Sequence, residues 1–486
     1  MNPIVILIVI AAYFAVLFAI SFVAGKNADN AVFFSSKKQS NWVVVTISTI
    51  GAAISGVTFV SVPGMVQNAA FSYMQMVMGF TVGQIIVAYL LLPMYYKMNL
   101  TSIYEYLQKR FGITTYKTGA WLFFVCKMLG ASVRLFVVSS VLQLLVFEPL
   151  NLPFWLNTIF TVAIVYLCTF RGGVRSVIWT DMLKTFCLIM SVVLTIWFVI
   201  RSGVRLDGFT KSEMTRTFFF DNINDNRYFW KQFLAGVFLV IATTGLDQDL
   251  MQRTLSCKNY SDAQKNMIIG ALLQMVVIFL FLFLGYLLYT FANQGNINLC
   301  GLKADDVFPY LATGTYFPAI VGVLFIVGFI ASAYSAAASA LTALTTSFSI
   351  DILAIRQNQP TDTKANKTRQ YVHIMMAVLM AVCIYVIWLL NDDSVIQTVY
   401  KIASYTYGPL LGMFCYGMLT KRQVHDKLIP FVALLAPLLT WVIDTHSVAW
   451  FGGYQFSHER LLLNALFTFI GMCLLAKHTT KLNDNK

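Results

Sequence analysis

WVVVTISTIGAAISGVTFVSVPG, residues Trp42 to Gly64, is apolar enough to sit in a membrane, yet small and hydroxylated residues crowd its centre. Gly51, Ala52, Ala53, Ser55, Gly56 and Thr58 take the space that a lipid-facing span would fill with Leu and Phe, and Pro63 and Gly64 close the stretch. Two readings follow. Small residues permit close helix contact, or a local unwinding whose freed carbonyls are tolerated at bilayer depth only where they are buried in protein or line a cavity. The rest of the chain has to choose between them.

Composition sets the class. Of 486 residues 58% are hydrophobic and 11% charged, with a mean hydropathy of +0.71, whereas a soluble globule carries about 25% charge. A polytopic, all-α membrane protein is the expectation. The net charge of +13 comes from 34 basic and 21 acidic residues. The basic residues lie scattered in short loops, which suits orientation in a membrane better than a nucleic-acid partner. The eight cysteines stand singly, without metal spacing, and read as reduced core residues.

Apolar segments of roughly 20 residues, enough to cross about 30 Å of hydrocarbon, fall near 3–23, 41–68, 71–96, 117–147, 153–170, 177–201, 230–255, 267–292, 317–350, 370–390, 396–419, 428–445 and 460–477. About 13 transmembrane helices are therefore expected. The first run has no basic residue before it, so it reads as an uncleaved span rather than a secretory signal. With the N-terminus outside, inner loops hold Lys26, Lys37, Lys38, Lys97, Lys109, Arg110, Arg171, Arg253, Lys258, Lys364, Lys421 and Arg422, and the tail adds Lys481 and Lys486. Outer loops hold Glu148, Asp305, Asp306, Asp392, Asp393 and Asp444, with one basic exception from Arg201 to Lys231. A bacterial-type inner-membrane protein with its C-terminus inside is the expectation. No soluble part is large enough for an enzyme, and no nucleophile, base and metal constellation is seen.

Ionisable residues within spans are expensive and so are functional candidates. Asp181 opens the sixth span, and either serves a site or pairs with Lys184 or Arg175 at the membrane surface. Lys127 and Arg134 stand seven apart on one helical face. Lys127 reads as a structural ion pair. Arg134 lies about 18 residues, or roughly 27 Å, from the inner end of its span, too deep to snorkel inwards easily, so it either faces a cavity, reaches outwards or forms a structural pair of its own. ATTGLDQDLMQR, residues 242–253, gathers Thr243, Thr244, Gly245, Asp247, Gln248 and Asp249. It reads either as a second broken helix or as the start of a cytoplasmic loop. Interrupted segments at matching places in two halves point to an inverted-repeat transporter, and this one comes five spans after the first. In the ninth span Ser332, Ser335, Ser339 and Thr342 share a face. They either pack helices or supply oxygen dipoles to a monovalent cation.

Five pieces in order, ISTIGAAISGVTF, TSIYEYLQKRFG, YLCTFRGGVRSVIWTD, GLDQDLMQRTLSCKNYSDAQK and SALTALTTSFSIDIL, lie between Phe33 and Lys421. In these the chain resembles the sodium/solute symporters, the family of bacterial galactose, proline, pantothenate and sialic acid carriers with the leucine-transporter fold. The resemblance implies a 5+5 inverted-repeat core. It divides the chain into an extra N-terminal helix over 1–30, a first repeat over 31–203, a periplasmic loop over 204–228, a second repeat over 229–420, and two C-terminal helices with a short tail over 421–486.

The resemblance also implies sites. The main sodium site would use Gly51, Ile54, Ser332 and Ser335, with Ala336 where many relatives have a further hydroxyl. A second sodium site would use Asp181, Ser335 and Ser339. Counterparts of the galactose ligands are Thr58, Val77, Val240 and Ala403, so galactose is disfavoured. Arg134 matches the arginine that meets the carboxylate in the sialic acid carriers, with Ser55 and Thr58 beside it. Gln75, Gln84, Thr243 and Tyr405 are further pocket candidates. The expected activity is sodium-coupled symport of a small polar or anionic solute, such as a sialic or sugar acid, by alternating access. A proton-coupled or sodium-independent carrier and a transporter-derived solute sensor are the alternatives. Apart from sodium as coupling ion, no cofactor is expected.

Overall fold

The structure, a computed structural model, describes residues 3–24, 41–98, 100, 102–169, 173–204, 206, 208–209, 212–353, 363–390 and 395–477. These fold as helices, without a strand among the described residues. Following α1 (Pro3–Ala24), the opening stretch of interest divides into α2 (Trp42–Ala53) and α3 (Gly56–Gly64), with axes bent by 59°. The bend has a local cause. Ile54 is extended (φ −90°, ψ 99°), and Ser55 caps α3 by accepting the Thr58 N–H at 3.3 Å. A capped start inside an apolar stretch leaves the last carbonyls of α2 without helical partners.

The second break repeats this design. Helix α4 spans Tyr73–Lys97, α5 Ile113–Leu142, α6 Phe154–Thr169 and α7 Gly173–Arg201. Then α8 (Phe229–Gly245), which ends in a wide π turn over Ile241–Gly245, meets α9 (Gln248–Thr254) at 71°. Asp247 is extended and accepts the N–H groups of Asp249 (2.8 Å) and Leu250 (3.3 Å). Carbonyls freed here are satisfied by tyrosines, Tyr95 donating to Gly245 and Tyr104 to Leu246, both at 2.9 Å. Asp247 to Arg253 thus form a cap and a buried helix, not an exposed loop.

The remaining helices are α10 (Tyr260–Gln294), α11 (Ala319–Ser347), α12 (Thr363–Leu390), α13 (Val395–Leu419), α14 (Ile429–Trp450) and α15 (Arg460–Leu474). Among the described residues seven helices are long and apolar enough to cross a membrane, or nine with each bent pair counted as one span; α6 and α15 are apolar but shorter. Their outer faces are apolar and exposed, as at Val378 and Leu389 on α12 or Leu434, Leu438 and Trp441 on α14. Such continuous apolar surface suits lipid, not water.

Packing of this framework rests on α7 against α11, α4 against α8, and α2 against α7 and α10. Small residues make the tightest contacts. A Cβ on Gly79 would stand 2.2 Å from the Phe233 carbonyl oxygen, and one on Gly236 2.3 Å from that of Met76. Backbones this close need glycine on both sides. Below the first break, Phe59 fills the interior against Phe281, Phe308 and Phe325. Lys26, Lys37, Lys38, Arg171, Lys481 and Lys486 and the outer-loop pair Asp392 and Asp393 lie outside the described residues, as do the ends of the N-terminal helix and of the tail.

Candidate functional site

Both breaks open on one cavity of about 170 Å³. One water needs roughly 10–15 Å³ on this measure, so a small organic molecule fits. Ser55 and Thr58 from α3, Thr243 from α8, Arg134 from α5, and Ala336 and Ser339 from α11 line it. The Ser55 and Thr58 hydroxyls lie 3.1 Å apart. Thr243 donates to the Leu239 carbonyl at 2.8 Å and keeps its lone pairs for another partner. Gln84 also lines the cavity, donating to Gln274 at 2.9 Å.

Two pocket candidates stand elsewhere. Gln75 is buried outside the cavity, donating to the carbonyls of Ser72 (3.1 Å) and Arg227 (2.8 Å) and accepting the Phe219 N–H at 3.2 Å. It fastens the segment before α8 to the start of α4 and has no donor to spare for a solute. Tyr405 donates to Asp444 at 3.0 Å, and Asp444 also pairs with Arg460 at 3.2 Å. That side chain joins α13 to α14 and α15, on the flank away from the cavity.

Charge within the cavity and directly beneath it forms one buried network. Lys127 bridges Asp247 (3.1 Å) and Asp249 (2.8 Å). Arg253 pairs with Asp249 at 3.2 Å, donates to Ser48 Oγ at 3.0 Å, and meets Asp181 and Ser339. Ser339 in turn donates to Asp249, and Tyr407 to Asp247. Asp181 therefore pairs not with a surface cation but with an arginine brought from α9, and it is fully buried. Three carboxylates face Lys127, Arg253 and Lys184 as counter-cations, which is how charge becomes affordable in such a place. Arg134 lies beyond this balance. Among the described residues it has no carboxylate partner, so it is the charged side chain of the cavity left free for a ligand.

Two of the residues expected to hold sodium stand beside the first break, Asp181, whose carbonyl oxygen would lie 3.2 Å from a Cβ on Gly51, and Ser332, whose Oγ would lie 3.5 Å from a Cβ on Gly56. Ser332 Oγ, Ser335 Oγ and Asp181 Oδ1 are buried without hydrogen-bond partners among the described residues. A buried polar atom left unmade costs about 1–3 kcal/mol, and uncommitted hydroxyl and carboxylate oxygens are what a desolvated monovalent cation uses. The donor set thus fits sodium in kind. Gly51 is engaged otherwise: fully buried Lys184 donates from Nζ to its carbonyl.

Lys127 forms the structural ion pair expected of it, whereas reading the sequence missed the membership of Asp247, Asp249, Arg253, Tyr407 and Ser48 in this network. The polar run 242–253 was the signal for three of them. Nothing in spacing pairs Arg253 with Asp181, 72 residues apart.

The description "Sodium:solute symporter family" matches residues 33–426. The chain is 24% identical to the human sodium/iodide cotransporter over 79% of its own length and 60% of that protein's. It is 23% identical to the sodium/sialic acid symporter NanT of Aliivibrio fischeri, with 88% and 84% covered, and 24% identical to the sodium/sialic acid symporter SiaT of Proteus mirabilis, with 85% and 84% covered. In fold it is similar to a Na+-coupled sialic acid symporter solved in a substrate-bound outward-open state, with a TM-score of 0.81, 18% identity, and 97% and 98% of the two chains covered. With four-fifths of its length matched by one family description and a fold shared from end to end with a sodium-coupled carrier, this chain is a multi-pass membrane transporter of the sodium:solute symporter family.

Proposed function

We propose that the protein is a symporter that couples the entry of a small organic anion to sodium. The observation that carries the anion reading is Arg134, a cavity cation without a carboxylate partner among the described residues. A guanidinium is permanently charged and offers a planar fork to a carboxylate. Ser55, Thr58 and Thr243 would bind the solute's hydroxyl groups beside it. The names of similar proteins point the same way, since iodide and sialic acid are both anions.

Sodium would be held by the Gly51 and Ile54 carbonyls with Ser332 and Ser335, and at a second place by Asp181, Ser335 and Ser339. The orphaned oxygens of Ser332, Ser335 and Asp181 support this reading. Ala336 contributes no hydroxyl. The two bent helix pairs would stand at equivalent places in inverted repeats over 31–203 and 229–420, flanked by the 1–30 helix, the 204–228 loop and the 421–486 segment, 13 spans in all. Rocking of one repeat against the other would expose the cavity to each side in turn. An ion can drive that motion only by binding one state better than the other.

The test is uptake into proteoliposomes. Radiolabelled sialic acid, lactate and a neutral sugar are each supplied with an inward sodium gradient or with choline in its place. Accumulation of a carboxylate that collapses without the gradient is expected. Sodium-indifferent uptake, or uptake of the neutral sugar alone, overturns the reading.

A further inference from the structure

Two of the protein's own cations reach the oxygens assigned to sodium, and they differ in how firmly they are held. Arg253 is saturated. Its guanidinium meets Asp181, Ser48, Ser339 and Asp249, on three separate helices beside its own. Lys184 has a single hydrogen-bond acceptor among the described residues, the Gly51 carbonyl, although an ammonium carries three donors.

Local packing explains how the ammonium reaches that carbonyl. Helix α2 stops at Ala53, and the Ile54 N–H still reaches the Ile50 carbonyl at 2.9 Å, so the carbonyls that lack a helical donor begin at Gly51. Helix α7 is pressed against α2 at this level. A Cβ on Gly51 would stand 2.0 Å from Thr185 Oγ1 and 3.2 Å from the Asp181 carbonyl oxygen, and the Thr185 hydroxyl, which donates to the Asp181 carbonyl at 2.7 Å, lies 3.2 Å from the Ile47 carbonyl oxygen of α2. The neighbouring Lys184 is thereby turned into the break with no exposed surface. An ammonium is a compact monovalent charge on a flexible stem. At a helix carbonyl it makes the contact that a free monovalent cation would make.

We propose that Lys184 is a tethered competitor of the coupling ion, with its ammonium and free sodium as alternative occupants of the Gly51 carbonyl. The proposal rests on the reading of Gly51 as a sodium ligand, and adds the residue that sets how much sodium is needed. Sodium enters as Lys184 withdraws. After sodium leaves, the ammonium restores a cation to the carbonyl end and to the vicinity of Asp181, so the empty carrier is not left with an open, desolvated acceptor at the joint between α2 and α7. A lysine that occupies the carbonyl for about nine-tenths of the time raises the apparent sodium Kd about tenfold, by the usual reduction for a site only fractionally competent.

Thermal melting of the purified full-length protein tests this. Sodium is titrated against choline at constant ionic strength for the wild type, Lys184→Met and Lys184→Gln. Melting in choline alone shows whether each variant is folded, and the second variant serves if the first is not. The expected result is a half-saturating sodium concentration lowered about tenfold in the variants, with no response to matched potassium. Midpoints within twofold of the wild type, a raised midpoint, or variants that never respond to sodium overturn the proposal. Gradient-driven uptake by the wild type reports separately on coupling. If the variants gain a sodium response that the wild type lacks, Lys184 holds the site as proposed while sodium coupling of the native carrier fails.

Discussion

At the scale of single residues, Arg134 makes the sharpest demand. Its neighbours Lys127 and Asp249 are locked to each other at 2.8 Å, so removing Arg134 leaves that network intact and removes a ligand-facing charge. A hydrogen-bonded charge of this kind contributes about 1.5–3 kcal/mol, or roughly 10- to 150-fold in affinity. Arg134→Ala is therefore expected to raise the KM for a carboxylate by that factor without lowering the melting temperature, and Arg134→Lys, which keeps charge but loses the fork, to fall between. Equal KM values in concentration-dependent uptake would remove Arg134 from the solute site. Its place on the cavity was foreshadowed in the sequence, because a deep, isolated arginine in a span has few uses. Gln75 and Tyr405 were less legible: a polar side chain on the right helix can face either way, and their partners, Arg227 and Asp444, come from segments whose approach no local pattern encodes. The same holds for Lys184, whose acceptor is a backbone oxygen and so leaves no trace in residue types.

At the scale of elements, the two breaks were the most legible part of the fold. Small residues around Gly51 to Thr58 and the polar run from Thr243 to Asp249 mark where the bends of 59° and 71° occur, because each run holds a capping side chain, Ser55 or Asp247, inside an apolar segment. Less legible was which helices glycine brings together. Gly79 and Gly236 lie more than 150 positions apart, yet each occupies the space that the other's helix needs. A methyl group there must push two backbones apart, and overpacking of this kind costs about 1–3 kcal/mol. Gly236→Ala is expected to lower the melting temperature accordingly. Gly270→Ala, where the added carbon meets only Thr46 Cγ2 at an ordinary 3.8 Å, should be neutral or slightly stabilising, since Ala is the better helix former. If both variants melted alike, the close approach of α4 and α8 would carry no energetic weight.

Across the whole molecule, orientation follows from where charge is tolerated. Short loops rich in Lys and Arg stay on the cytoplasmic side, and the one basic segment expected outside, Arg201 to Lys231, seemed to break the pattern. Two of its arginines are paired locally. Arg216 pairs with Asp221, and Arg227 with Asp225 at 2.9 Å, while both guanidinium groups lie over Phe219. The hydrogen bond from Arg227 holds the Asp225 carboxyl below its ordinary range, so the pair stays ionised. Because the rule counts basic residues and not net charge, these pairs leave the segment an exception, and two positions make an N-terminus outside and a C-terminus inside testable. Cys300, in the connection before α11, is exposed and free, although the sequence alone suggested cysteines confined to the core. Lys421, just beyond α13, is exposed on the side expected to face the cytoplasm. In intact cells a membrane-impermeant maleimide should label the wild type but not Cys300→Ser. Lys421→Cys, made with both Cys300→Ser and Cys473→Ser, should react only after permeabilisation. The reverse pattern would invert the protein in the membrane, and with it the side from which sodium and solute enter the cavity beside Arg134.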